Sequence, residues 1–321
     1  MGGGSWSHDY YEEKSAERKV SGRSAFTHHE GVKSKPRSEQ KVHPRLDPKG
    51  VKVRESRDSL DHPESIPIAI MLDVTGSMQT VPQGVQKSLP NMHKLALKVG
   101  IRDAQFLFGA VGDEFSDRGS LQLGQFESDN RMDEDLEHFW LEGGGGPYGE
   151  ESYQNVLYFF ARHTELDSVI KRNKKGYLFI LGDELPFSVV SSSSIDAILG
   201  YNLQGEDIPT KSILKECQEK YNVFFVIPRD TSGGRNSSIA RYWENLLGEG
   251  NVLHLEKATD ICELVATTVG ICEGLTNIQD ARLLLTNAGV SAAATSHIET
   301  SLYNLVKARG LPTGDSKVRR L

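Results

Sequence analysis

Cysteine is scarce in this chain of 321 residues: Cys217, Cys262 and Cys272 are the whole complement, and no two form a CxxC pair. That excludes a disulfide framework and a paired-cysteine zinc site, and leaves each as a small apolar residue. Long hydrophobic runs are missing too. "YLFILG" and "NVFFVIP" span a few residues each, against the roughly 20 that a membrane helix requires, so no membrane partner is expected. The opening "MGGGSWSHDYY" lacks the apolar core of a signal peptide, and Trp6 stands where N-myristoylation asks for Ser or Thr. A cytoplasmic protein is the expectation. Nor is there a basic excess: net charge is −7, and no dense basic face with interleaved aromatics emerges, so nucleic acid is not an expected partner.

What charge there is lies unevenly. Residues 1–60 hold 13 Lys/Arg and 9 Asp/Glu, which makes this extension +4 and the remainder −11. A mildly basic arm beside an acidic body suits intramolecular docking or a protein partner. Residues 1–50 are polar and show no sustained helical or strand period, which predicts disorder or a clamp-like arm, with His28 and His29 solvated. "GVKVRES" alternates well enough for a short edge strand near 51–55, where order is expected to begin. The division that follows is a polar arm over 1–64, a principal domain over 65–274 and a helical extension over 275–321.

Between residues 65 and 274 strands alternate with helices, the signature of an α/β fold: a doubly wound, mostly parallel sheet with helices on both faces. Six strands are predicted, at 66–72, 104–111, 120–126, 176–182, 222–228 and 251–255. The turn-rich "GDEFSDRG" between the second and third is short enough for a hairpin, so one antiparallel edge strand is expected. Four apolar stripes at helical spacing read as core: Val85 to Val99, Met132 to Trp140, Tyr153 to Ala161, and Ile261 to Thr268. Pro90 should kink or restart the first of these helices. Two short helices are expected beyond Gly274.

The chemistry concentrates in "SIPIAIMLDVTGSMQT" (65–80). A buried strand ends at Asp73, and Thr75 and Ser77 follow at every second position, so in extended chain all three side chains point one way. In an open α/β sheet the ligand crevice lies outside the carboxyl ends of the strands. One carboxylate and two hydroxyls are hard oxygen donors, suited to a small hard cation such as magnesium.

"IAIMLDVTGSM" resembles the first strand and metal loop of the von Willebrand factor A family, whose metal-ion-dependent adhesion site uses Asp-x-Ser-x-Ser. Later features follow in the family's order: "EGGGGPYGEESY" stands where a Gly-rich loop carries a third hydroxyl ligand, and "YLFILGDELP" where a buried strand ends in an acid, Asp183. The resemblance spans roughly 65–272. It implies a metal held by Asp73, Thr75, Ser77 and Asp183, with magnesium expected and manganese or calcium as alternatives. It also implies a scaffold rather than an enzyme, whose partner offers an acidic side chain to the metal, within larger assemblies such as those containing AAA+ ATPases. The Gly-rich loop departs from the family pattern, having no Thr; Gly146 holds the corresponding position. Glu151 is therefore the expected loop ligand, aimed back from the first turn of a helix, with Glu150 about 100 degrees round that helix and Asp113 near the rim.

Other readings compete. An Asp and a Ser before a helix also serve as caps, and acids in a first helical turn complement the dipole without any metal. "DVTGSM" further resembles the Asp-Lys-Thr-Gly-Thr loop of P-type ATPases and, more loosely, haloacid-dehalogenase-like phosphatases, in which the Asp is a nucleophile beside magnesium. Val74 stands where the pump motif has Lys, and the later Gly-Asp-Gly-x-Asn-Asp motif is absent. "GGGPYG" (144–149) fits G-x-G-x-x-G but follows a helical stripe where a dinucleotide fold requires a strand. "TSGGRNSS" (231–238) reads as a polar surface connection carrying Arg235 rather than an anion site.

Overall fold

The computed structural model describes residues 4–78, 81–145, 149–201 and 205–311. Six strands form one sheet: β1 (Ile66–Asp73), β2 (Ala104–Val111), β3 (Leu121–Leu123), β4 (Gly176–Leu181), β5 (Tyr221–Pro228) and β6 (Val252–Leu255). Their order is β6-β5-β4-β1-β2-β3, with every pairing parallel except the antiparallel β2–β3 hairpin. The expected fold class is therefore present, strand for strand. β1 is central, and its chain leaves towards β2 on one side while β4 lies on the other. That reversal opens a crevice at the carboxyl ends of β1 and β4.

Twelve helices accompany the sheet among the described residues: α1 (His8–Val20), α2 (Thr27–Lys33), α3 (Val81–Lys98), α4 (Arg131–Glu137), α5 (Tyr153–Arg162), α6 (Asp167–Arg172), α7 (Ser192–Leu199), α8 (Thr210–Lys220), α9 (Ser237–Leu247), α10 (Ile261–Cys272), α11 (Ile278–Asn287) and α12 (Ala292–Arg309). Strand alternation divides the core. Ile68, Ile70 and Leu72 of β1 face the side covered by α3, α10 and α12, and Ala69 and Met71 face the side covered by α5, α8 and α9. Each outer strand has one residue hydrogen-bonded across its free edge. The Leu123 N–H of β3 donates to the Leu46 carbonyl at 2.8 Å, and the Ser301 hydroxyl of α12 accepts from His254 N and donates to His254 O in β6.

Several expectations about the arm do not hold. Residues before 50 carry α1 and α2, and Tyr11 and Phe26 are buried in the same cluster as β1. The short strand lies at Arg54–Ser56, and it pairs in parallel with Thr164–Leu166 outside the main sheet. His28 is half-buried, edge-on to His43 at 5.0 Å, which in turn stacks on His138 at 3.8 Å. Arm and body join through opposite charge, as the uneven balance suggests: Arg18 meets Asp133 at 2.6 Å and Glu137 at 2.8 Å, and Arg45 meets Asp135.

Pro90 neither breaks nor restarts α3, which runs unbroken through it. A proline has no N–H to give the carbonyl four residues back, here Gln86. The Tyr11 hydroxyl of α1 donates to that Gln86 carbonyl at 2.8 Å. The arm thus supplies the hydrogen bond that the proline withholds. Tyr11→Phe should therefore cost about 1–2 kcal/mol in urea unfolding, the penalty for a buried acceptor left unpaired. In a Pro90→Ala background, where the helix N–H serves Gln86, the same substitution should cost less; equal costs in both backgrounds would refute the link.

Candidate metal centre

β1 delivers Asp73 to the crevice fully buried. Its carboxylate does not stand alone. Thr75 donates to Oδ1 from its backbone N–H (2.8 Å) and its hydroxyl (2.5 Å), and the buried Tyr153 hydroxyl donates to Oδ2. A hydroxyl that donates its proton keeps its lone pairs for another partner, so Thr75 remains an oxygen ligand. Gly182, just beyond β4, makes room for this arrangement: a Cβ there would fall 2.2 Å from the Tyr153 hydroxyl.

The other sequence-predicted acids converge on the same edge. Asp183 is fully buried, and its Oδ2 accepts from Gly233 N at 2.8 Å. Asp113, also fully buried, accepts from the N–H groups of Phe115 and Ser116 through Oδ1, while Oδ2 has no hydrogen-bond partner. Glu151 is buried with Oε2 unpartnered. It is not in a helical turn as expected. Glu150–Glu151 pairs in parallel with Leu185–Pro186, and α5 begins two residues later. Strand alternation, rather than helical rotation, turns Glu151 inward and leaves Glu150 half-exposed. The side chain of Ser77 and the whole of Gly146 lie outside the described residues.

Three further residues belong to the site and were not singled out for it. Tyr153 reads in sequence as the first member of an apolar stripe; the signal was its hydroxyl, which needs a partner once buried. Asp117 accepts from Asp113 N at 2.9 Å and leaves Oδ1 unpartnered. Gly144 must be glycine for that carboxylate to fit, because a Cβ would stand 1.7 Å from Asp117 Oδ1. The Gly144 carbonyl also accepts from Gly76 N at 2.8 Å, tying the Gly-rich loop to the Asp-Thr-Ser loop. Glu184 is the third, close enough to act on Glu151 electrostatically.

Three of these carboxyls have pKa values raised by burial and by neighbouring carboxylates. Burial raises Asp73 to about 7, against the hydrogen bonds from Thr75 and Tyr153 and with Asp183 adding to the rise. Burial, then Asp73 and Glu184, lifts Glu151 to about 10. Asp117 is raised to about 6 by burial and by Glu142. All donors are oxygens, several are buried without a partner, and the local excess is negative: a hard divalent cation fits this chemistry. No three His, Cys, Asp or Glu side chains among the described residues stand close enough to hold an ion by themselves.

Neither a family model nor a curated protein matches this chain. Among solved structures it is similar to proximal thread matrix protein 1 from the mussel byssus, at 12% identity over 63% of this chain and 46% of that one, TM-score 0.39. It is also similar to the pilus adhesin SpaC from Lactobacillus rhamnosus GG in its open conformation, at 10% identity over 73% and 31%, TM-score 0.41. The chain spans less than half the length of either structure. With scores this low, neither likeness bears on what the chain does.

The raised carboxyls make a signed prediction. Their folded pKa values exceed the unfolded ones, so the native state holds protons that the unfolded chain has already lost. The associated stability is complete below the ordinary carboxyl range and is lost as pH rises through about 7 for Asp73 and about 10 for Glu151. In chelator, the melting temperature of the wild type should fall between about pH 5 and pH 9. Glu151→Gln, which has no charge to bury, should melt higher than wild type at the alkaline end. Superimposable profiles would show that Glu151 is not strained by its neighbours.

Proposed function

We propose that this chain is a von Willebrand factor A-type binding module that engages a partner protein through a divalent cation at the carboxyl edge of its sheet. The observation that carries the reading is the buried oxygen cluster at the β1–β4 crevice, with Glu151 Oε2 and Asp113 Oδ2 unpartnered. Asp73, Thr75, Ser77, Glu151 and Asp183 are the residues that would hold the ion, with Asp113 beside them. Magnesium is the expected ion, and this many acids also suits manganese or calcium. When bound, the cation supplies a positive centre that accepts an oxygen donor, an acidic side chain, from the partner. The chain's own residues set the orientation: Tyr153 and Thr75 fix the Asp73 carboxylate, and Gly233 fixes Asp183. Three free cysteines, and no helix among the described residues long and apolar enough to cross a membrane, are compatible with a cytoplasmic module.

The phosphotransferase alternative gains no support from this geometry. Its nucleophile would be Asp73, whose oxygens accept hydrogen bonds from Thr75 and Tyr153. The strongest electrostatic influences on Glu151 beside it are all carboxylates, which repel a phosphoryl group.

Magnesium or manganese should raise the melting temperature of the wild type by mass action. Asp73→Ala should abolish that rise while leaving the metal-free protein folded. Glu151→Gln should weaken metal affinity several-fold, and the half-exposed Glu150→Gln much less. Identical metal-dependent shifts in wild type and Asp73→Ala would end the site assignment. Acetyl phosphate with magnesium should leave no hydroxylamine-sensitive phosphate on Asp73, and a stoichiometric adduct there would favour the enzyme reading instead.

A further inference from the structure

A second feature of the same sheet edge has the opposite charge. Beyond the carboxyl ends of β5 and β6 lies a cavity of about 420 Å³, lined by Arg229, Gly234, Arg235, Asn236, Ser237, Ala240, His254 and Glu256. Arg229 directly follows β5, and its N–H donates to the Leu255 carbonyl of β6 at 2.8 Å, so its backbone is anchored between the two strands. Arg235 reaches back to the Arg229 carbonyl through Nε at 3.1 Å, which positions its guanidinium on the same side. The turn between them is tight, and a Cβ at Gly234 would fall 1.7 Å from the Pro228 carbonyl. Neither guanidinium has a carboxylate partner among the described residues, although the chain as a whole is acidic.

His254 lies on the wall beside the two arginines. Its backbone is held on both sides by the Ser301 hydroxyl, and its imidazole Nδ1 is buried without a hydrogen-bond partner. Burial and then the nearby Arg229 push this imidazole below its ordinary range. The cavity's carboxylate, Glu256, lies 3.4 Å from the His297 imidazole.

The geometry points to a phosphate monoester site between Arg229, Arg235 and His254. Arg229 brings a guanidinium to the cavity, Arg235 keeps its two terminal nitrogens once Nε is bonded to the Arg229 carbonyl, and a tetrahedral dianion has acceptors for these several donors. A planar carboxylate would satisfy one fork. The cavity exceeds a bare phosphate in size and leaves room for the group that carries it. The polar loop at 231–238, which reads in sequence as a plain connection, is in this light the element that brings Arg235 to the cavity beside Arg229. The site is separate from the acidic cluster, and its ligand binds without a divalent cation.

The test uses the full chain in chelator, so that no metal bridges protein and phosphate. Inorganic phosphate titrated into labelled protein should shift the His254 imidazole resonances saturably and raise the His254 pKa, since a bound anion offsets the repulsion from Arg229. Arg229→Gln and Arg235→Gln should each weaken binding about tenfold or more, the loss of a charge-assisted hydrogen bond. Both side chains are exposed, so both variants should fold and keep the wild-type metal-dependent melting shift. A phosphoserine peptide and adenosine monophosphate, run as separate arms, distinguish a modified protein from a small phosphate metabolite as the source. Equal linear responses to phosphate and sulfate, undiminished in the Gln variants, would reduce the effect to ionic screening and overturn the proposal. So would the absence of any His254 response.

Discussion

Burying the Asp73 carboxylate at the end of the central strand sets a charge problem that the surrounding loops are arranged to meet. A lone carboxylate in that position is costly. Thr75 gives it two hydrogen bonds and Tyr153 one, and Gly182 exists as glycine so that the tyrosine hydroxyl can approach. The same crevice then takes in Asp183, Asp113, Asp117 and Glu151, and with each one the problem grows. Carboxylates that raise one another's pKa values do not gather to stabilise a fold. Their arrangement costs stability near neutral pH unless something positive joins them.

The sheet was legible in the sequence because its strands are short apolar runs rich in β-branched and aromatic residues, and periodicity reports such runs directly. The Asp-Thr-Ser loop was read as extended chain with alternate residues on one side, whereas the strand ends at Asp73 and Gly76–Met78 form a 3-10 turn, a tight local turn that spacing alone does not announce. Glu151 was identified with the wrong local structure. The prediction put it in a helix, and a two-residue strand pairing with Leu185–Pro186 supplies the inward direction instead; a pairing that short leaves no period to read. Tyr153 was hidden by its own hydrophobicity, since an apolar stripe gives no sign of where a hydroxyl points.

The arm was illegible for a different reason. α1 has no apolar stripe to detect: Tyr11 and Arg18 are its only buried residues. It docks through Arg18 on Asp133 and Glu137 and through a hydroxyl bonded to one backbone carbonyl. These are tertiary contacts, with partners between 75 and 119 residues away, and no local pattern encodes them. Pro90 shows the same limit from the other side. Read alone, it predicts a kink or a restart. Read with Tyr11, it leaves an acceptor that a second element is placed to satisfy, which converts a local defect into an attachment point.

The loop after β5 carries this logic to the functional edge. Within three residues it presents the Gly233 N–H to the carboxylate of Asp183 and the Arg235 guanidinium to a cavity on its other side. Glycines at 233 and 234 are what permit it. A Cβ at 233 would lie 2.0 Å from the Asp183 carbonyl, and one at 234 would meet the Pro228 carbonyl. Two backbone segments can approach the strand end this closely only where no side chain intervenes. The consequence is a sheet edge on which anionic and cationic surfaces stand side by side without neutralising each other: a buried carboxylate cluster over β1 and β4, and unpaired arginines over β5 and β6. Had the arginines reached the carboxylates, an internal salt bridge would have satisfied both and left neither with capacity for a ligand. The glycine turn lies between the two, with its Gly233 N–H on Asp183 and its Arg235 on the Arg229 carbonyl, so the loop's own hydrogen bonds hold the acid and the arginine to separate partners.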